Sequence, residues 1–192
     1  MVGQVRIVII VFMKSAHLHP NPLLDRVTQY GAVALIIVML VATPLQIALA
    51  LLGAPGGLFV FTSIATLLLT PPVLLLTTAT PRVIISPEGL TIQPLIWQAQ
   101  FVPWNAVQTI KDYPLLPPSG SEVGRKALAG RQRYHPAQGK MLVIPTLPIQ
   151  YRVTGYFAGE GFTGVIALTN RTHQEYDKLI KKVMIYSEEA RT

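Results

Sequence analysis

The chain has 192 residues, no cysteine, a formal net charge of +7 and only 13% charged residues, about half of the ~25% usual for a soluble globular domain, and its mean hydropathy is +0.44. The deficit is local: no Asp, Glu, Lys or Arg occurs in the 55 residues between Arg26 and Arg82. These figures exclude an ordinary soluble protein and a disordered tail, and the lack of cysteine excludes disulfides, thiolate metal sites and a cysteine nucleophile.

Residues 1–29 read as a cytoplasmic, juxtamembrane segment. Its apolar run Ile7 to Met13 is too short to span a bilayer and has no small-residue cleavage site behind it, so a signal peptide is not indicated. Residues 1–12, rich in Val and Ile, suit a short strand or an interfacial segment. His17 and His19 offer at most two metal ligands and read as a juxtamembrane polar pair. Asn21 followed by Pro22, with Asp25 in the first turn, is a helix start, so the first helix begins before the membrane.

A two-helix transmembrane hairpin is expected over 30–81. About 20 apolar helical residues cross a ~30 Å hydrocarbon core, and 30–52 and 58–80 each supply them. Pro44 and Gln46 interrupt the first span. Pro71-Pro72 should kink the second rather than end it, since stopping at Thr70 would leave ~20 Å of helix. Gly53, Ala54, Pro55, Gly56 and Gly57 form an uncharged link. Lys14, Arg26 and Arg82 flank the spans on the other side, so the positive-inside rule places both termini in the cytoplasm of a bacterial inner membrane.

From Arg82 the pattern changes to short β-type runs, giving an α+β order for 82–192. Val83–Ile85, the turn Ser86-Pro87-Glu88-Gly89 and Leu90–Ile92 predict a hairpin, with Leu95–Trp97 continuing it and Phe101–Trp104 starting another strand. Asn105 is placed to cap one helical turn. Lys140 to Ile144 reads as a strand. So does 149–157, where Ile149, Tyr151, Val153, Gly155 and Phe157 alternate with polar neighbours, followed by a turn at 158–161 and a strand from Phe162 to Thr169. Thr172 and Glu175 form a capping-box pattern ahead of a helix whose Tyr176, Leu179, Ile180 and Val183 share one face.

The run Arg82 to Ile92 followed by Phe101-Val-Pro-Trp-Asn-Ala-Val107 resembles the opening of the bacterial pleckstrin-homology-like (PH-like) domains, often found after a pair of membrane helices. The final hairpin and helix are similar to that family's end, and the resemblance covers 82–113 and 149–190. It implies a bent antiparallel barrel or sandwich capped by the C-terminal helix. The first hairpin turn holds Glu88 and no basic residue, a departure that argues against phosphoinositide binding.

Between Val123 and Gly159 lie Arg125, Lys126, Arg131, Arg133, Lys140 and Arg152 and no acid. Beside a membrane, such a cluster is worth ~1 kcal/mol per charge near anionic headgroups, so these six are the candidate membrane-surface or partner-binding residues. A solvated loop serving only the positive-inside bias is the plain alternative. Nucleic acid is not expected, because no aromatic reading motif accompanies the charge. Tyr113 to Pro118 reads as a Pro-rich loop covering the barrel end or lying against a partner. No nucleotide, hydrolase or zinc motif occurs, and no catalytic residue, metal or cofactor is assigned. His135 and His173 read as exposed. The expected function is a non-catalytic PH-like binding or scaffolding protein on the cytoplasmic face of the inner membrane, an accessory subunit of a membrane complex with a membrane-protein partner or as a homo-oligomer. The competing class is a membrane-bound enzyme acting on lipid or membrane substrates; it would need a convergent acid–base constellation, which the sequence does not offer, and substitution of Asp112, His135 and His173 tests it. The uncharged spans argue against transport.

Overall fold

The structure is a computed structural model and describes residues 14–53, 56–118, 120–123, 127 and 134–191. The expectations for residues 1–12 and for Arg125, Lys126, Arg131 and Arg133 therefore fall outside the described residues. In chain order the elements are β1 (Ser15–His17), α1 (Pro22–Leu51), α2 (Gly56–Thr78), β2 (Arg82–Ile85), β3 (Gly89–Gln93), β4 (Gln100–Pro103), a 3-10 turn (Trp104–Ala106), β5 (Thr109–Asp112), β6 (Gly139–Val143), α3 (Ile149–Phe157), β7 (Val165–Thr169) and α4 (Tyr176–Glu189).

The two long helices pack against each other as an antiparallel hairpin. Both are long and apolar enough to cross a membrane, and only 6% of the apolar stretch of each is buried in the protein. Core helices of a soluble protein would be mostly covered; these leave Leu, Val, Ile and Phe side chains open along their length. The start of α1 follows the sequence signal, with the Asn21 side chain accepting from the Leu24 amide at 3.1 Å and Pro22 at the first helical position. α2 continues through Pro71 and Pro72. Inside the hairpin the Gln46 carbonyl oxygen accepts from the Thr62 and Ser63 hydroxyls, each at 3.1 Å, and Thr70 meets the Met39 sulfur at 3.8 Å. Carried to the foot, this antiparallel register sets Gly31 level with Thr78. The first nine residues of α1 therefore extend ~13 Å beyond the end of α2 at 1.5 Å per residue.

The rest of the chain forms two antiparallel sheets, one in the order β1-β2-β3-β4 and one in the order β5-β6-β7. They face each other without closing into the barrel that the sequence resemblance implies. Val83, Ile85, Leu90, Ile92 and Val102 of the first sheet meet Leu142, Ile166 and Leu168 of the second and Ile144 just past β6, and Leu179 and Val183 of α4 close the core. The second sheet is covered on its other face too, by Tyr113, Ala158 and Leu116 against Met141, Val143, Val165 and Ala167. Burial on both faces explains why β7 is an apolar run without alternation.

The Ser86 to Gly89 hairpin forms as the sequence indicates, with paired backbone bonds of 3.0 and 3.3 Å. Trp104 donates from its buried indole nitrogen to the Ser86 carbonyl at 2.9 Å and packs beside Tyr186.

Five local expectations are corrected. Ile149–Phe157 is a helix, α3. Its apolar positions satisfy a period of two, but the buried ones are Tyr151, Thr154 and Gly155, a helical spacing set by packing on the end of α2. The capping box does not form, because α4 begins at Tyr176 after Glu175 adopts a left-handed conformation with φ 53°, while Thr172 turns back to Thr169 at 2.6 Å. Asn105 lies inside the 3-10 turn, which has no side-chain cap. Leu95–Trp97 leaves the sheet instead of prolonging β3. Ser15–His17, read as part of the juxtamembrane segment, pairs with β2 and extends the first sheet.

Candidate functional site at the foot of the hairpin

The hairpin meets the two sheets through buried polar bonds. Asp25, one turn into α1, is buried and takes both the Nε and a terminal nitrogen of Arg82 on one carboxylate oxygen, at 3.0 and 2.8 Å. Its other oxygen accepts from Gln29 at 2.8 Å, and Gln29 in turn accepts from the Leu95 amide at 3.2 Å. The i,i+4 spacing of Asp25 and Gln29 puts both on one face of the extension of α1 beyond α2. Arg82, the first charge after the uncharged stretch, is the first residue of β2. This latch joins α1, β2 and the loop after β3, which explains why Leu95–Trp97 departs from the sheet. Trp97 then donates to the Thr77 hydroxyl at 3.2 Å, binding the same loop to α2.

The link from α2 to β2 is held as well. The Ala167 amide of β7 donates to Ala79 O at 2.7 Å. His173 is buried rather than exposed: its Nδ1 accepts from the Thr169 amide at 3.2 Å, so its Nε2 carries the proton and donates to the Pro81 carbonyl at 2.9 Å. Burial pushes its pKa down to about 4, opposed by the bond to the Pro81 carbonyl, with the electrostatic influence of His17 and His19 adding to the depression. His17 is also buried. Its ring bonds to the Gln174 carbonyl at 2.9 Å and to Ser15 at 3.1 Å, so it fastens β1 to the turn before α4. His19 accepts from the Asn21 amide at 3.0 Å. Among the described residues no group of three or more His, Cys, Asp or Glu is placed to hold a metal ion.

Beside this latch lies a cavity of about 630 Å³. Its apolar wall includes Leu24 of α1, Leu75 and Leu76 in the last turns of α2, and Leu116 of the loop after β5; Thr28 and Arg171 are on its polar side. Of the Pro-rich stretch Tyr113 to Pro118, Tyr113 is buried under the second sheet and Leu115 to Pro117 line the cavity. Arg171 also borders a second cavity of about 510 Å³, with His135 and Asn170. It donates to Glu122 at 2.8 Å and to the His135 carbonyl at 2.7 Å, and its guanidinium lies 5.8 Å from the centre of the Tyr134 ring. Tyr134 donates to the same Glu122 oxygen at 2.6 Å. Glu122 and Tyr134 precede and follow the segment carrying Arg125, Lys126, Arg131 and Arg133. Glu122 and Tyr134 themselves are held together with Arg171 at the cavity's edge. Sequence reading missed Arg171, Glu122 and Tyr134, since only folding shows that they meet.

The two described members of the six-residue basic set are not brought together. Lys140 is paired with Asp112 at 2.7 Å across β5 and β6, whereas Arg152 lies on α3 with its guanidinium 5.9 Å from the centre of the Phe162 ring. The acid–base groups are likewise separate in their bonding: Asp112 holds Lys140, His173 is buried at the linker, and the His135 side chain is exposed. Asn170 serves its turn, accepting from the Gln138 amide at 3.0 Å and donating to the Pro136 carbonyl at 2.9 Å. No protein-family model, characterised protein or solved structure matches the chain.

Proposed function

We propose that the chain is a two-pass protein of a bacterial inner membrane, with both termini cytoplasmic, presenting a non-catalytic PH-like domain that binds or scaffolds at the cytoplasmic face as an accessory subunit of a membrane complex. The observation that carries this reading is the convergence at the hairpin foot. The cavity, the Glu122–Tyr134–Arg171 cluster and the roots of the basic segment all meet where the long helices end. Anionic headgroups or the polar flank of a membrane-protein partner are the groups found at that height, and the sequence carries four cations between Glu122 and Tyr134, a charge suited to both. Two antiparallel sheets and a C-terminal helix packed on the core support the PH-like part of the reading, although the first sheet takes its fourth strand, β1, from before the hairpin and the sheets stay separate.

The test uses the full chain purified in a gentle detergent. Native mass spectrometry should find retained anionic lipid or a stoichiometric membrane-protein partner. Changing Arg125, Lys126, Arg131 and Arg133 together to Gln should remove that species. Raising salt from 0.1 to 1 M, which shortens the Debye length from about 10 to about 3 Å, should weaken it too. Retention of the same species by the substituted chain would show that the basic segment does not dock.

A further inference from the structure

The outer face of α3 has no role in the core or in the hairpin-foot cavity. Tyr151, Thr154 and Gly155 form its buried side. On the other side Ile149 and Tyr156 are 66% and 67% exposed, Phe157 is 39% exposed, and Phe162 from the following turn is 58% exposed. The Tyr156 and Phe157 rings meet edge-on, with centroids 5.7 Å apart. The turn is fitted closely to the helix, because a Cβ on Gly155 would lie 1.8 Å from the Thr163 carbonyl oxygen, and Gly161 takes a φ of +63° that favours glycine. Phe162 is thereby held beside Arg152. Four large apolar side chains and an arginine within 14 residues make one patch.

Its position relative to the hairpin gives it meaning. Thr78 ends α2, and its hydroxyl lies 3.3 Å from that of Thr154 on α3, the two helices being packed together. α2 is apolar up to Leu76, so α3 sits where that helix leaves the hydrocarbon. We propose that α3 and its turn lie in the headgroup layer of the bilayer, with Ile149, Tyr156, Phe157 and Phe162 inserted at the hydrocarbon boundary as an interfacial anchor. Aromatic rings are enriched at that level, and an amphipathic helix with a cation beside its apolar face binds there. The acid of the segment, Glu160, is neutralised by Lys111 at 2.7 Å, leaving the patch compatible with anionic lipid. A protein partner on the same patch would need no relation to the end of α2; a bilayer requires one. The inference rests on the reading that α1 and α2 span the membrane.

Because the chain has no cysteine, single cysteines at Tyr156 and Phe162 can carry an environment-sensitive fluorophore in full-length protein reconstituted into vesicles of phosphatidylethanolamine and phosphatidylglycerol. Leu68, an exposed position within α2, serves as the span control, and Phe101, an exposed position on β4, as the water control. Nitroxide lipids labelled near the headgroup should quench positions 156 and 162 more than lipids labelled at the chain end, and iodide should quench them less than position 101. If 156 and 162 match 101, or are shielded from lipid and iodide alike as under a protein partner or a second copy, the interfacial anchor is wrong. If position 68 itself escapes lipid quenching, the spanning reading falls and the anchor with it, which separates the two failures.

Discussion

Within the hairpin, the polar contacts between helices are neutral: the Gln46 amide oxygen receives two hydroxyls, and Thr70 meets a thioether. At the foot, by contrast, a buried carboxylate is bound by a guanidinium and an amide, and through that amide to the backbone of another loop. The difference follows from what each region must fix. Two apolar helices joined by a short link find one another through packing, so a few hydroxyl bonds only refine their register. The sheets are joined to the hairpin by a short link and by α3 packed on the end of α2, and a buried charge that is satisfied in one geometry adds a directional constraint on their orientation. If the comparison holds, substitutions at the foot disturb the protein far more than substitutions between the helices.

The largest effect is expected for Arg82→Ala. It leaves Asp25 buried without its counter-ion, a loss of about 3–5 kcal/mol when a buried pair is broken from one side. Thermal unfolding of the full chain in detergent, followed by fluorescence of Trp97 and Trp104, should show it as a large drop in Tm. Asp25→Asn combined with Arg82→Gln should recover most of the loss, since neither side then buries an unpaired charge. A double variant as unstable as Arg82→Ala would mean that the arginine acts through packing rather than through its charge.

A smaller, pH-dependent effect comes from His173. Its folded pKa of about 4 lies below the ordinary value of 6.5, so between these values the unfolded chain binds more protons than the folded one. The stabilisation is complete above about pH 6.5, declines as pH falls through that window, and levels off below about 4; a shift of this size corresponds to roughly 3 kcal/mol. Melting measured across pH 4 to 7 should slope accordingly. In His173→Gln, whose amide can still donate to the Pro81 carbonyl, the slope should largely disappear. An unchanged slope would place the titration elsewhere.

How much of this contrast can be read from sequence depends on the range of the forces involved. The hairpin is legible because an uncharged stretch of that length has few alternatives, and the Asn21-Pro22 start, the Ser86 to Gly89 turn and the buried face of α4 are local signals. Arg82 and Asp25 are both conspicuous in sequence, as a flanking charge and as a first-turn acid, but their pairing across 57 positions is not. α3 misleads because Ile149, Val153 and Tyr156 fit a helix as well as the alternation fits a strand, and only the end of α2 decides between them. The basic residues were visible as a count, yet Lys140 is absorbed by Asp112, and the Glu122–Tyr134–Arg171 cluster depends on contacts that no periodicity encodes.

Gln46→Leu gives the smallest expected effect and the sharpest check on the contrast. The substitution keeps the side chain's approximate volume and removes the acceptor shared by Thr62 and Ser63. Thr62 retains a bond to the Phe59 carbonyl at 3.1 Å, so the larger loss falls on the buried Ser63 hydroxyl. Interhelical hydrogen bonds of this kind average about 0.6 kcal/mol within membranes and reach about 1.7, because helices separated in lipid find other partners for the same groups. If α1 spans the membrane as proposed, leucine also lowers the cost of placing position 46 in hydrocarbon, which offsets part of that loss. The expected Tm shift in the same detergent assay is therefore a small fraction of that for Arg82→Ala, with Trp97 fluorescence unchanged, since its Thr77 bond lies at the other end of α2. Adding Ser63→Ala to Gln46→Leu should cost little more, as the hydroxyl has already lost this acceptor. A loss of several kcal/mol from Gln46→Leu alone would mean that the hairpin, like its foot, is specified by a polar site, and the division of labour between packing and buried charge would have to be abandoned.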